Sequence, residues 1–207
     1  EAGPIRSLDQ LYAQAHAVHP EMVRKVQGWA LRSQALLFAH TEEPSPTGAA
    51  GATPGAEVLL LSWRDCAQNT ALRPRVKFAK VKSTDRAIEK LLRSYAGDPS
   101  RLVDLCRQTL IFNSLQELRA CLQLIVADPD VHIVRVKNRY DPDYPAADKS
   151  AGYRDVSINL CIVTSETLQL GAAHHVCELQ LLLARFALLK RAEGHKRYVA
   201  FRNVRGE

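Results

Sequence analysis

Two carboxylates could carry chemistry in this sequence. Asp104 closes the segment before an apolar run, and Glu178 shares one face of a predicted strand with Gln180. Carboxylates from neighbouring strands can hold Mg²⁺ against a phosphate chain. A lone glutamate on an edge strand is usually only solvated, so both interpretations of this pair stay open.

Cations surround a predicted helix over residues 83–95. Three of them lie at i, i+4 and i+7, which places them on one helix face. This face is either a solvated surface stripe or a cradle in which several cations neutralise a triphosphate. The cations on the helix and ahead of it are Arg75, Lys77, Lys82, Arg86, Lys90 and Arg93.

A third polar set lies in "GYRDVSIN" (152–159), because alternate side chains of a strand lie on opposite faces. One face would carry Val156, Ile158, Leu160 and Ile162. The other would carry Tyr153, Asp155, Ser157 and Asn159. A strand between core and water has this pattern, and so does the floor of a nucleotide site. Further on, "GHKRY" places His195 and Tyr198 either in a C-terminal turn or in a site.

Charge and composition restrict the partners. The 207 residues include 28 Lys and Arg against 22 Asp and Glu, a net charge of +6, which favours nucleotides, nucleic acid or an acidic surface. No apolar run approaches the roughly 20 residues of a membrane span, so no membrane partner is expected. The five cysteines form no CxxC pair, and most lie in apolar runs, which indicates a reduced compartment.

The periodicity predicts an α+β fold with a mixed β-sheet flanked by helices. Residues 1–69 are expected to form a helical N-terminal extension, with a mobile insert at 42–57. Its helix should run from Leu8 to about Leu37, with a break and restart at Pro20. Residues 70–207 are expected to form the main domain. Its predicted elements are helices at 83–95, 114–126 and 183–193 and strands at 107–114, 131–137, 153–163 and 174–181.

In their order along the chain, these motifs resemble the synthetase domain of the RelA/SpoT family. The matching segments are "RVK" (75–77), Ser83, Lys90, Arg93, "DL" (104–105), "GYR" (152–154), "ELQ" (178–180) and "H..Y" (195–198). The resemblance covers about residues 70–202. It is closest to small toxin-type members, which also show "GD.S", "KNR" and "GYRD".

This resemblance implies a nucleotidyltransferase-like synthetase fold and a Mg²⁺-dependent pyrophosphokinase, which moves pyrophosphate from ATP to the 3′-hydroxyl of a purine nucleotide. Asp104 and Glu178 are then catalytic and bind the metal. The residues implied for the donor phosphates are Arg75, Lys77, Ser83, Lys90, Arg93 and Arg107. Those implied for the acceptor are Tyr153, as the ring that stacks on the base, with Arg154, Gln180, His195 and Tyr198.

The chain departs from the commoner family signature at two places. The family has an arginine five positions after the Asp of the Asp-Leu pair, where this chain has Thr109. Either Arg107, which lies earlier, takes over the donor adenine, or the donor is held differently. Where the commoner signature is "GYRSLH", this chain has "GYRDVS", so Ser157 replaces a histidine. The resemblance therefore does not identify the acceptor nucleotide. Guanosine nucleotides, adenosine nucleotides and an RNA 3′ end all remain open.

Three functions follow as hypotheses. The first is an enzyme that makes (p)ppGpp- or (p)ppApp-type alarmones as a bacterial toxin, with an immunity or antitoxin protein as partner. It would act in the cytoplasm, delivered by secretion as part of a longer protein. The second is the same fold pyrophosphorylating the 3′ end of tRNA. The third is a non-catalytic nucleotide-binding module.

Overall fold

The structure is a computed structural model that describes residues 5–40, 59–144 and 153–189. Its helices are α1 (Leu8–Ser33), α2 (Trp63–Gln68), α3 (Thr84–Tyr95), α4 (Leu115–Val126), α5 (Ser165–Gln169) and α6 (Ala184–Leu189). Its strands are β1 (Leu36–Ala39), β2 (Leu59–Ser62), β3 (Arg107–Phe112), β4 (Val131–Asn138), β5 (Val156–Ile162) and β6 (Cys177–Leu183). The predicted α+β class is confirmed. Among the described helices, none combines the length and apolarity needed to cross a membrane.

The six strands form one mixed sheet in the order β2-β1-β3-β6-β5-β4. Neighbouring strands are antiparallel, except that β3 and β6 run parallel. One face packs on α1 and α4 and holds the main core, including Leu110, Phe112, Ile158, Leu160, Leu179 and Leu181. On the other face, α6 covers one end, where Ala187 packs against Ile111 and Leu182. Leu36, Phe38 and Leu60 extend this apolar patch onto β1 and β2, and beside it the face is polar from the start of β3 to β4.

Helix α1 runs without interruption from Leu8 to Ser33 with Pro20 inside it, so the predicted break is wrong. A proline in a helix interior costs about 3 kcal/mol. Burying one Val or Met side chain contributes roughly 1.5–3 kcal/mol, and Val18, Met22 and Val26 are all fully buried. Packing of this face therefore outweighs the cost of the proline. The helix also ends earlier than predicted, because residues 36–39 pair as β1.

The expected helical extension also supplies strands to the sheet. Residues 1–69 contain β1 and β2 as well as α1 and α2. Trp29 and Leu37 belong to the same buried cluster as Leu110 and Leu179. Elements from both sides of residue 69 therefore build one core. The insert predicted at 42–57 lies outside the described residues.

Strand β4 contains a bulge that determines which of its side chains reach the polar face. Its register with β5 shifts between Ile133 and Arg135, so Val134 is an extra residue. An extra residue reverses the faces of all residues that follow it. Ile133 pairs with Leu160 of the core face, whereas Arg135 pairs with Asn159 of the polar face. The bulge therefore turns the end of β4 towards the polar residues of β5.

Candidate active site on the polar face of the sheet

Two rows of side chains cross the polar face from β3 to β4. Residues paired across neighbouring strands lie side by side on one face. The first row is Arg107, Glu178, Asn159 and Arg135. The second row is Thr109, Gln180, Ser157 and Lys137. The face thus places Glu178 among polar groups, with cations at both ends of the first row and at one end of the second.

Glu178 is held through one of its two carboxylate oxygens. The Ser157 hydroxyl donates to Oε1 at 2.9 Å, and Gln180 Nε2 donates to the same oxygen at 3.2 Å. Both donors come from the second row. Within the described residues, Oε2 accepts no hydrogen bond. The carboxylate therefore has one oriented oxygen and one oxygen available to a ligand.

Asp104 is a buried carboxylate with two lysine partners. Its Oδ2 lies 2.7 Å from Lys82 Nζ and 2.9 Å from Lys90 Nζ, and the residue is 8% exposed. Burial alone would raise the pKa of Asp104, but Lys90 and Lys82 outweigh it, so the pKa is lowered. The pKa of Lys82 is lowered by its burial, whereas for Lys90 the attraction of Asp104 outweighs burial and the pKa is raised. We therefore expect Asp104 to be ionised at neutral pH.

Backbone contacts bring the Asp104 segment to the first row of the polar face. The Glu178 N–H donates to Cys106 O at 2.9 Å. Asn159 Nδ2 donates to Val103 O at 3.5 Å. Residues 103–106 therefore lie against β6 and β5 at the level of Glu178.

The segment 75–77 lies along the edge of β1 that faces β3. Val76 bridges Ala39, and the Lys77 N–H donates to Phe38 O at 2.7 Å. Val76 belongs to the main core, so alternation places Lys77 on the polar face. Arg75 ends a 3₁₀ helix (Arg73–Arg75), and its Nε donates to His40 O at 3.1 Å, which fixes one side of its guanidinium. Lys77 thus lies on the same face as Glu178, and Arg75 lies beside the end of β1.

The predicted donor residues on α3 divide into two groups. Lys90 reaches Asp104, and Ser83 stands at the N-cap of α3, where its hydroxyl makes no capping hydrogen bond. Arg93 is exposed and pairs with Glu89 at 2.8 Å, so it does not join the Asp104 cluster within the described residues. Arg107 occupies the first row beside Glu178. Arg107 and Thr109 share one face of β3. The side chain of Arg107 therefore lies on the same side of the sheet as position 109, where the family has its arginine.

Tyr153 forms a network with a buried aspartate on the acceptor side. Its hydroxyl donates to Asp155 Oδ2 at 3.0 Å, while Arg139 pairs with Oδ1 and lies 5.9 Å from the centres of the Tyr153 and Tyr144 rings. Asp155 is fully buried, and burial raises its pKa despite the attraction of Arg139. Burial and the nearby Asp155 also raise the pKa of Tyr153. These contacts therefore fix the position of the half-buried ring. Arg154 is the next residue, and its Nη1 donates to Tyr153 O at 3.4 Å.

Several residues of this face were missed as site residues from sequence. The cations of β4 are Arg135, whose Nε and Nη2 donate to Asn159 Oδ1 at 3.1 and 2.8 Å, and Lys137. The pKa of Lys137 is lowered by burial and by Arg135 and Arg139. The break in alternation at "IVRV" was the available signal for them. Ser157 and Lys82 belong to the candidate polar sets of the sequence, but the family resemblance assigns a site role to neither. The predicted residues His195 and Tyr198 lie outside the described residues.

The two carboxylates fit a Mg²⁺ ion. Oδ1 of Asp104 is buried without a hydrogen-bond partner, and Oε2 of Glu178 has none within the described ranges. Over those same ranges, no three His, Cys, Asp or Glu side chains gather as a metal site. Mg²⁺ commonly takes only one or two protein carboxylates and fills its remaining positions with phosphate and water. Two acidic side chains are therefore a sufficient protein contribution to such a site.

No family model and no curated protein matches this sequence. Solved structures are similar to it. One is a chain from the crystal structure of the complex between the Type VI effector Tas1 and its immunity protein, at a TM-score of 0.50 and 17% identity over 93% of this chain and 73% of that chain. Another is small alarmone synthetase 2 from Bacillus subtilis, with a TM-score of 0.45 and 21% identity over 61% of this chain and 63% of that chain. A third is a GTP pyrophosphokinase family protein from Streptococcus pneumoniae, with a TM-score of 0.47 and 16% identity over 59% of this chain and 58% of that chain.

The likeness to the Tas1 complex extends over nearly the whole chain, and identities this low bear on the fold alone. The architecture of this chain is a mixed six-stranded sheet flanked by helices. The chain therefore adopts a RelA/SpoT-like synthetase fold, as the order of its motifs predicts.

Proposed function

We propose that this protein is a Mg²⁺-dependent pyrophosphokinase that transfers pyrophosphate from ATP to the 3′-hydroxyl of a purine nucleotide. The observation that carries the proposal is the placement of Glu178 on a polar sheet face, between Arg107 and Arg135 of the same row. Asp104, which has a buried oxygen without a hydrogen-bond partner among the described residues, precedes β3, the strand next to that of Glu178. Phosphoryl-type transfer depends on positioning and charge neutralisation more than on covalent help from the protein.

The reaction forms one bond and breaks one. The acceptor 3′-oxygen bonds to the β-phosphorus of ATP, and the bond from that phosphorus to the oxygen bridging the α-phosphate breaks. The bridging oxygen leaves with AMP. Oε2 of Glu178, which Ser157 and Gln180 leave without a hydrogen bond, has two lone pairs, of which one would hold Mg²⁺ and the other takes the proton of the 3′-hydroxyl.

Cations from three elements would hold the donor. Lys77 beside β1 and Arg107 on β3 face the same side as Glu178, and Arg75 lies beside the end of β1. Lys90, with Ser83 and Arg93 of the same helical region, is assigned to the donor phosphates from the side of α3. Asp104 and Glu178 would hold Mg²⁺, which neutralises charge on the phosphate oxygens when bound. Lys90 would then be shared between Asp104 and the phosphates.

The acceptor is assigned to the side of β5. Tyr153 would stack on the purine base, since stacking on an aromatic ring is worth about 1–3 kcal/mol. Arg154 and Gln180 lie on neighbouring parts of the same site. His195 and Tyr198 complete the proposed acceptor set.

The biological role that we propose is that of a toxin making (p)ppGpp- or (p)ppApp-type alarmones in the cytoplasm. The similar Tas1 protein is a Type VI effector solved with its immunity protein. A dedicated immunity protein is accordingly the partner that we propose for this chain.

A product assay tests the proposal. The protein is incubated with ATP and Mg²⁺ and, separately, with GDP, GTP, AMP, ADP, further ATP or bulk tRNA, and AMP release is measured. We expect AMP together with a 3′-pyrophosphorylated mononucleotide. AMP with tRNA alone would support tRNA modification instead. Bound nucleotide without AMP in any mixture would support a binding module and overturn the proposal.

A further inference from the structure

We propose that Ser157 is a positioning residue that orients Glu178 for catalysis. Its hydroxyl fixes one carboxylate oxygen, so that the other faces the reacting nucleotides. The inference rests on the proposed function and assigns a role to a side chain that differs from the histidine of the commoner family motif.

The contact geometry carries the inference. Ser157 Oγ lies 2.9 Å from Glu178 Oε1, and Gln180 Nε2 lies 3.2 Å from the same oxygen. Two donors on one oxygen restrict rotation of the carboxylate about its last torsion, which is otherwise broad in glutamate. Oε2 is consequently held away from both donors.

Ser157 is firmly placed for this task. It pairs with Gln180 of β6 on one side and with Lys137 of β4 on the other, so its backbone is fixed between two strands. A serine hydroxyl has one proton to donate, and here that proton is directed to Glu178. Ser157 is only 4% exposed, which leaves little of its surface for direct contact with a nucleotide. Its effect is therefore expected to pass through Glu178.

Loss of the hydroxyl should affect turnover and not nucleotide binding. Glu178 would keep Gln180 as its only donor among the described residues and would sample other orientations. Removing a group that orients a reacting carboxylate should lower kcat by about 10–100-fold, by analogy with the outer-shell partners of metal ligands. The KM values for donor and acceptor should stay near those of the wild type.

A matched set of variants separates this role from a packing role. Ser157→Thr keeps a hydroxyl, whereas Ser157→Val has the shape of threonine without one. Ser157→Ala removes the hydroxyl without adding volume. If the threonine and valine variants have lowered melting temperatures, kcat of Ser157→Ala is compared with that of the wild type instead. Ser33→Ala is the control, because Ser33 is a buried serine on α1 that donates to Trp29 O at 2.7 Å, away from the polar face.

The experiment measures kcat, both KM values and the melting temperature of each variant. We expect Ser157→Ala and Ser157→Val to lose kcat at unchanged KM, with Ser157→Thr and Ser33→Ala close to wild type. Wild-type kcat in Ser157→Ala would overturn the inference and leave the proposed function standing. A raised acceptor KM at unchanged kcat would also overturn it, because Ser157 would then contact the nucleotide itself. A wild-type protein that releases no AMP with any acceptor overturns both.

Discussion

Lys90 Nζ on α3 lies 2.9 Å from Asp104 Oδ2, and the ion pair joins the basic helix to the segment that enters β3. Lys82 Nζ approaches the same oxygen at 2.7 Å. Two cations therefore share one oxygen of a buried carboxylate, while its second oxygen has no hydrogen-bond partner in the part of the chain that the structure describes. The arrangement gives Asp104 both a structural role and the capacity to bind a ligand.

Asp104→Asn should lose activity and some stability. The neutral amide removes the counter-charge of two partly buried lysines, and disturbing such buried polar contacts costs about 1–3 kcal/mol. Loss of a metal ligand should also reduce AMP release by about a hundredfold or more. Urea unfolding and the AMP assay measure the two effects. Asp65→Asn, at an exposed position of α2, is the control, and an active Asp104→Asn variant would remove Asp104 from the site.

Arg107→Ala should weaken binding of the donor ATP and leave binding of the acceptor unchanged. If its guanidinium stacks on adenine, the loss of about 1–3 kcal/mol corresponds to a rise of about 5–150-fold in the KM for ATP. Arg107 and Thr109 share one face of β3, so Arg107→Ala combined with Thr109→Arg should restore part of the affinity. Steady-state kinetics measure the KM for ATP in each variant. Arg119→Ala is the control, because Arg119 is an exposed arginine of α4. An unchanged KM for ATP in Arg107→Ala would refute the assignment.

Tyr153→Ala should raise the acceptor KM by about ten- to a hundredfold and leave ATP affinity unchanged, since it removes a stacking ring. Tyr153→Phe keeps the ring and should remain nearly active. It leaves Asp155 Oδ2 without its hydroxyl donor, however, and should lower the free energy of unfolding by about 1–3 kcal/mol. Kinetics and urea unfolding of the two variants separate these effects. Weaker ATP binding in Tyr153→Ala would show that donor and acceptor have been exchanged.

His175 should make stability depend on pH. Burial lowers its pKa from 6.5 to about 4, and neither ring nitrogen has a hydrogen-bond partner within the described residues. The unfolded chain therefore binds a proton that the folded chain excludes, so stability is full above about pH 6.5 and falls as the pH drops towards 4. The loss over this window is roughly 3 kcal/mol.

The variant His175→Leu should remove that part of the pH dependence in urea unfolding. His174→Leu is a matched control, because His174 is exposed and adjacent in sequence. Equal pH dependence in wild type and His175→Leu would contradict the assignment of the effect to His175.

Local patterns in the sequence predict much of this fold. Ser114 caps α4 by accepting from the Glu117 N–H, as expected from the capping-box spacing. The alternation in β5 separates Ile158 and Leu160 in the core from Ser157 and Asn159 on the polar face. These features depend on residues near one another in sequence, which periodicity and capping rules describe well.

Long-range pairing explains what the sequence alone does not predict. β1 and β2 have four residues each and acquire their structure by pairing across the segment 40–58. The bulge at Val134 brings Arg135 and Lys137 to the polar face, and it is defined only by the register with β5. On α3, the helical spacing of Ala87, Ile88 and Leu92 is typical of one buried face, but only Ala87 is buried, and Ile88 and Leu92 are 41% and 69% exposed.

Transfer of label from ATP tests the central claim most directly. ATP labelled at the γ-phosphate is incubated with Mg²⁺, the preferred acceptor and either wild type, Glu178→Gln or Glu166→Gln, an exposed carboxylate of α5 that serves as control. We predict label at the 3′ position of the acceptor, one AMP for each product, and a loss of about a hundredfold or more in Glu178→Gln alone. Label released as free phosphate or pyrophosphate without an acceptor product, or a Glu178→Gln variant as fast as wild type, would contradict the account.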